Sequence, residues 1–178
     1  MSWGIKNKKL GFRARGVTLA LSLIILLLVT LIGVSIIHTA QLQEKMSYHM
    51  EDKNLSFEAA ESVLQEGERW LNALGAEPIP TTSGCDPYPC IEILDPELYL
   101  EEQDSTWWGT HSALYSQTLS AILSKPRYII EFLSFVSDMP AIGHGVPSGT
   151  YYYRVTGRGT GATDNAFSVV QISFARRY

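Results

Sequence analysis

Hydrophobic and polar residues follow three different patterns along this chain, and each predicts a different element. Val17–Ile37 is a run of twenty-one residues without one charged side chain, and fifteen of them are Leu, Ile or Val. At 1.5 Å per residue such a helix spans roughly 31 Å, about the hydrocarbon thickness of a bilayer. From Leu42 onward the pattern becomes amphipathic. Apolar or small residues recur at Met46, Met50, Phe57, Ala60, Leu64, Leu71 and Leu74, while Glu44, Glu51, Glu58, Glu66 and Arg69 take the other side. Lys53 intrudes on the stripe and can extend its ammonium outward. With Gly75, Pro78 and Pro80 as stop signals, one helix over Val17–Leu74 is expected, 58 residues and roughly 87 Å long.

The middle, residues 76–125, has no sustained period: four of the eight prolines fall between 78 and 89, and an acidic stretch from Asp95 to Asp104 leads into Trp107 and Trp108. A short element of undefined type is expected over 113–123. Alternation returns near 127–136, 151–158 and 166–174, where Tyr151, Tyr153 and Val155, then Val170, Ile172 and Phe174, mark one strand face. A turn-rich stretch, Gly159 to Asn165, joins the last two runs as a hairpin. The expected fold class is α+β: a long N-terminal helix, half membrane and half amphipathic, packed on a C-terminal antiparallel sheet of three or four strands.

Charge adds an asymmetry. The formal net charge is −4, yet Lys6, Lys8, Lys9, Arg13 and Arg15 all precede the apolar run, in a leader with no acid that ends at Gly16. Removing residues 1–16 takes five positive charges from −4 and leaves −9. A chain so acidic past its leader has no basic surface for nucleic acid. Basic residues on only one side of the apolar run keep that end cytoplasmic and send the rest across the inner membrane. There, Cys85 and Cys90, the only cysteines, are expected to form one disulfide that shapes a loop. No metal spacing, catalytic triad or phosphate loop is present: the four histidines are dispersed, and the glycines of 157–161 lack a following Lys-Ser/Thr. Glu97, Glu101, Glu102 and Asp104 read as a solvated acidic loop without EF-hand spacing, with calcium binding as the other reading. Neither an enzyme nor a cofactor is expected.

Particular segments carry a family resemblance. Arg15-Gly16-Val17-Thr18-Leu19-Ala20-Leu21, Leu42-Gln43-Glu44-Lys45-Met46 and Asn54-Leu55-Ser56-Phe57-Glu58-Ala59-Ala60-Glu61 resemble the N-terminal region of the PilX-type minor pilins of type IV pili. Pro126-Arg127-Tyr128-Ile129-Ile130-Glu131 and the stretch from Tyr153 to Gly161 resemble strand segments of the same family. The likeness spans residues 13–70 and, less closely, 126–177; it does not reach 76–125. It implies a leader over 1–16 cut by a prepilin peptidase between Gly16 and Val17, with methylation of the new amino group of Val17. The remaining parts are then a transmembrane and filament-packing helix over 17–42, its amphipathic continuation over 43–74, and a periplasmic head over 75–178.

The resemblance also implies partners: other minor pilins, the major pilin, inner-membrane lipid before assembly, and a PilY-type tip adhesin, in a complex that primes pilus assembly for adhesion and twitching motility. Most major pilins carry a Glu at the fifth residue after the cut, and here that residue is Leu21, which points to a subunit at or near the tip or to tolerated drift. Thr18, Ser22, Thr30 and Gly33 fall within about 120° of one another and with Leu21 are candidate helix-packing positions, unless the clustering is chance. Trp107 and Trp108 are candidate partner contacts, with core packing as the other reading. The rival functions are a type II secretion pseudopilin, an uncleaved single-pass membrane scaffold, and a periplasmic module merely anchored by the helix.

Overall fold

A computed structural model of the chain describes residues 17–81, 85–86, 88–95, 97–138 and 148–178. The leader, and with it Gly16, lies outside the described residues. Helix α1 runs over Val17–Ala73 and contributes to two compact units, one ending at Ser47 and the other beginning at Tyr48. Its last turn closes through the Leu74 amide, which donates to the Leu71 carbonyl at 3.4 Å, before Gly75 and the prolines end it.

Within the second unit, three long strands form an antiparallel meander: β4 (Arg127–Ser137), β5 (Gly149–Thr160) and β6 (Phe167–Arg176). Strand β4 is bulged between Phe132 and Ser134. The sheet is larger than the sequence pattern implies, and it is mixed. Three two-residue strands come from the irregular middle: β1 (Pro80–Thr81), β2 (Ile91–Glu92) and β3 (Ala113–Leu114). β1 pairs parallel with β2, β2 parallel with β4, and β3 antiparallel with the start of β4. Two-residue strands carry no readable alternation, so only the three long strands were visible in the sequence. The short α2 (Ser105–His111) was also unreadable by period. Its signal is local: Asp104 at the N-cap accepts from the Trp107 amide at 2.7 Å.

Alternation along the strands separates two apolar clusters. Tyr128, Ile130, Tyr153 and Val155 pack with Val63, Leu64 and Leu71 of α1. Ile129, of opposite parity, packs with Leu100 and Trp108 on the other face.

The buried face of α1 shares Ala60, Leu64 and Leu71 with the expected stripe and departs from it elsewhere. It consists of Asp52, Ser56, Ala59, Ala60, Val63, Leu64, Gly67 and Leu71, whereas Met50 is 69% and Phe57 45% exposed. Small residues win because β5 brings glycines to the contact. A Cβ on Gly157 would lie 2.7 Å from the Ala60 carbonyl oxygen, and one on Gly159 would lie 2.3 Å from that of Ser56. Helix and strand backbones touch here, which larger side chains would prevent.

Candidate functional site

The first unit presents an uncovered helix. Thr18, Leu21, Ser22 and Thr30 are exposed and Gly33 is half-buried. The hydroxyls do not wait for partners. Ser22 donates to the Leu19 carbonyl at 2.9 Å, Thr30 to Leu27 at 2.8 Å, Ser35 to Leu31 at 3.0 Å and Thr39 to Ser35 at 2.9 Å. Each of these four hydroxyls is thus satisfied inside the helix, a condition for a segment to sit in an apolar surround. By length and composition α1 is the one described helix able to cross a membrane. What such a surface can do is associate laterally, with lipid or with other helices.

A second feature fixes the head to α1. Asp52 accepts from the Ala162 amide at 2.6 Å and the Thr163 amide at 3.2 Å through Oδ1, and from the Thr163 hydroxyl through Oδ2. The Thr163 hydroxyl foremost, with the two amides, outweighs burial and holds this carboxyl below its usual range. Next to it, Lys53 donates to the Phe167 carbonyl, and the Ser56 and Ser168 hydroxyls share a 2.7 Å hydrogen bond. Three polar residues of the helix therefore grip the β5–β6 turn. The amphipathic pattern missed two of them because polar residues at buried positions look like breaks in a stripe.

The candidate residues of the middle lie over the other face of the sheet. Cys85 and Cys90 are disulfide-bonded, with Cα atoms 5.5 Å apart, immediately before β2. Beside them, Arg127 pairs with Asp86 at 2.9 Å and donates to the carbonyls of Gly109 and Ser112 at 3.2 Å. A guanidinium at the C-terminal end of α2 suits the carbonyls left free there. The two tryptophans part company. Trp108 is 0% exposed and donates from Nε1 to the Leu100 carbonyl at 3.2 Å, so its ring is core and offers nothing to a partner. Trp107 keeps an open side and stacks on His111 at 4.5 Å between ring centroids.

Glu92 and Glu131, opposite each other on β2 and β4, are both buried. Arg154 of β5 forks onto Glu131, Nε to Oε2 at 2.9 Å and Nη2 to Oε1 at 3.0 Å. Neither oxygen of Glu92 has a hydrogen-bond partner of good geometry. Burial first, and the Glu131 charge after it, push the Glu92 carboxyl up to about 7 against the pull of His111 and the nearby Cys85 amide. Among the described residues no group of three or more His, Cys, Asp or Glu is placed to hold a metal ion.

No curated protein and no solved structure gives a match to this chain. Two family models do match. The PilX N-terminal model covers residues 15–65, from the end of the leader through the exposed helix into the gripped segment. The model for the C-terminal part of the type IV pilus assembly protein PilX covers residues 52–176, the sheet and everything packed on it. Between them they take in the apolar helix, the α1–sheet seam and the charged row of β2, β4 and β5, and the chain belongs to the PilX family of type IV pilus assembly proteins.

Proposed function

We propose that the mature protein is a minor pilin that primes type IV pilus assembly in a tip-associated complex with other minor pilins and a PilY-type adhesin. The observation that carries this reading is the first unit: a long, exposed, internally satisfied apolar helix in a chain of this family. A prepilin peptidase cuts between Gly16 and Val17 and the Val17 amine is methylated. The helix then holds the subunit in the inner membrane, N-terminus cytoplasmic and head periplasmic. On assembly it leaves lipid for the helices of neighbouring pilins, major pilin among them. The mechanism is docking without bond chemistry: the complex supplies a first layer on which major pilin is added. Leu21, apolar where a major pilin carries a Glu, supports a position without the usual neighbour on one side, because a carboxylate in an apolar surround needs a partner.

The deciding experiment is deletion of the gene, with surface pili counted in a background whose pilus retraction is blocked. Priming requires the count to fall sharply and to recover on complementation; normal numbers with normal minor-pilin content refute it. Mass spectrometry of the mature protein tests processing, since a retained Met1 is incompatible with cleavage after Gly16. Copurification with pilus components and not with type II secretion components separates this reading from a pseudopilin.

A further inference from the structure

The two edges of the sheet are built differently. On one side β1 is two residues long and opens on Pro80, and β4, where it runs past β2, is bulged between Phe132 and Ser134. Shortness, proline and bulges are the devices by which folds keep a sheet edge from pairing further. The other edge has none of them. β6 continues for ten residues, Phe167–Arg176, in unbroken register with β5, and carries no proline and no charged side chain before Arg176.

One hydrogen bond fixes which of its backbone groups face outward. The Gly161 amide donates to the Ala166 carbonyl at 2.8 Å, and bonded pairs recur at every second residue of an antiparallel ladder. Register then makes Gly159–Ser168, Gly157–Val170, Val155–Ile172 and Tyr153–Phe174 the bonded pairs. Phe167, Val169, Gln171, Ser173 and Ala175 therefore direct their amides and carbonyls away from β5. The Phe167 carbonyl agrees with this phase, because the Lys53 ammonium reaches it from α1. Among the described residues no hydrogen bond reaches the outward groups of Val169, Gln171, Ser173 or Ala175, and the last three of these residues are exposed. Donors and acceptors recurring roughly every 6.8 Å match the backbone of another strand.

Side chains set the pattern of that strand. Val170, Ile172 and Phe174 lie on the α1 side of the sheet and are only half-buried against its core cluster. Residues opposite them on an added strand share that side, so apolar ones there would extend the core. Gln171, Ser173 and Ala175 face the other way, beside Thr156, Arg154 and Tyr152, where polar residues suit.

Charge argues against a second copy as the occupant. Both ends of the edge are basic. Lys53 and Arg158 lie 5.7 and 5.3 Å from the centroid of the Phe167 ring, and Arg176 and Arg177 close the strand. Arg177 is paired with Asp138, but Arg176 holds only neutral acceptors, Asn72 Oδ1 and the Leu74 carbonyl. Antiparallel self-pairing about the centre of the free row would set Arg176 of each copy against Lys53 and Arg158 of the other, and like charges oppose it. Acidic flanks on the added strand would instead complement both ends.

We propose that the β6 edge receives an extended segment of a different protein, antiparallel to β6, apolar at alternate positions and acidic at its ends. The inference rests on the second unit alone and not on where in a pilus the subunit sits.

The test uses the full chain, labelled with nitrogen-15, in detergent micelles, and reads amide hydrogen exchange along β6. The probe is the peptide acetyl-Asp-Asp-Thr-Val-Thr-Val-Thr-Val-Thr-Asp-Asp-amide. Its threonine amides face β6 in the proposed register, and its valine nitrogens are methylated to block pairing on the far side. In the free chain the Gln171, Ser173 and Ala175 amides should exchange fast and those of Val170, Ile172 and Phe174 slowly. Saturating peptide should slow the first three at least about tenfold. A peptide methylated on the threonine nitrogens instead, or carrying lysine for aspartate, should bind at least about tenfold more weakly. Ser173→Pro, tolerated where the lost N–H faced outward, should weaken binding equally. No saturable protection, or equal binding of the threonine-methylated peptide, would overturn the assignment. So would equal binding of the lysine-flanked peptide, or protection of the same amides without peptide that grows with protein concentration, the mark of a second copy. The two methylated peptides decide the matter on the unmodified chain even if the variant folds poorly.

Discussion

The close approach of α1 to β5 makes Gly159→Ala the most demanding test of the fold. The added Cβ would lie 2.3 Å from the Ser56 carbonyl oxygen, 2.5 Å from the Ala60 nitrogen and 2.9 Å from the Ala59 Cβ. The first two are backbone atoms of a helix and cannot rotate away. Ordinary contact begins at 3.4 Å, so helix and strand must separate by about 1 Å, the difference between 3.4 and 2.3. A gap of that size forfeits roughly a quarter to a half of each dispersion contact along the seam. It also stretches the hydrogen bonds of Asp52 to Ala162 and Thr163, two residues beyond Gly161 and its own contact with Asp52. Overpacking of this kind costs about 1–3 kcal/mol, and the loss of the Asp52 contacts places this case near the upper end. For a unit of this size each kcal/mol moves Tm by about 4 °C, so a fall of about 12 °C is expected. The assay is thermal melting of the full chain in micelles by near-ultraviolet circular dichroism, which reports the aromatic packing of the head. Gly109→Ala is the control: no atom lies within 4 Å of its would-be Cβ, and in the interior of α2 alanine should stabilise by up to about 1 kcal/mol. If Gly159→Ala melts within about 2 °C of the parent, the backbone contact argued here does not exist.

Other perturbations probe the charged and polar sites. Asp52→Asn should lower Tm at neutral pH. Because the native carboxyl titrates below its unfolded value, its stabilisation is present above the unfolded pKa and is lost as pH falls through the folded one, so the gap to the parent should close in acid; a gap that persists at about pH 2 would contradict the hydrogen-bond account. Glu92 has the opposite sign, with its carboxyl raised from 4.5 to about 7, so the folded chain binds the extra proton and stability falls as pH rises through that window. At roughly 1.4 kcal/mol per pH unit the charged form is penalised by on the order of 3 kcal/mol, and Glu92→Gln should melt above the parent at about pH 8 but not at about pH 4; a difference independent of pH would refute it. Thr30→Val should leave pilus number unchanged, since the hydroxyl it removes bonds only to the Leu27 carbonyl. Gly33→Leu, which adds bulk to the same face, should reduce that number if helices pack there, and equal counts for both variants would remove the packing face.

Long periodic elements were legible in the sequence, and short or polar ones were not. A run such as Val17–Ile37, or the alternation of Tyr151, Tyr153 and Val155, repeats often enough to identify its element. Strands β1, β2 and β3 are two residues each, and their place is set by partners far along the chain, Ile91 beside Ile130 and Ala113 beside Tyr128. The face that α1 buries was read correctly at Ala60, Leu64 and Leu71 and missed toward the N-terminal part of the seam, for a related reason. Hydrophobicity selected Met46, Met50 and Phe57, whereas the fold buries Asp52, Ser56 and Ala59. One signal for the correct face was available: glycines at every second position, 157 and 159 in β5 and 161 just beyond it, mark a side on which another backbone comes close. Glu92 gave none, because an acid two residues after Cys90 looks like any loop acid until the sheet forms around it.

Along α1 the same residue types serve opposite ends, and the reason is the supply of outside partners. Between Val17 and Ser47 the hydroxyls of Ser22, Thr30, Ser35 and Thr39 turn back onto carbonyls three or four residues earlier. In lipid or against another helix such a segment would be surrounded by apolar groups, where a hydroxyl that pointed away would find no donor or acceptor. From Asp52 onward the helix meets a hairpin turn whose amides at Ala162 and Thr163 and whose carbonyl at Phe167 need partners, and Asp52 and Lys53 supply them. Ser56 does both, donating to the Lys53 carbonyl at 2.7 Å while sharing a hydrogen bond with Ser168. Polar residues in the first stretch therefore make the helix inert toward its surroundings, and in the second they bind it to the sheet. Substitutions that merely delete a hydroxyl should separate the two stretches: harmless between 17 and 47, destabilising at Ser56 and Thr163.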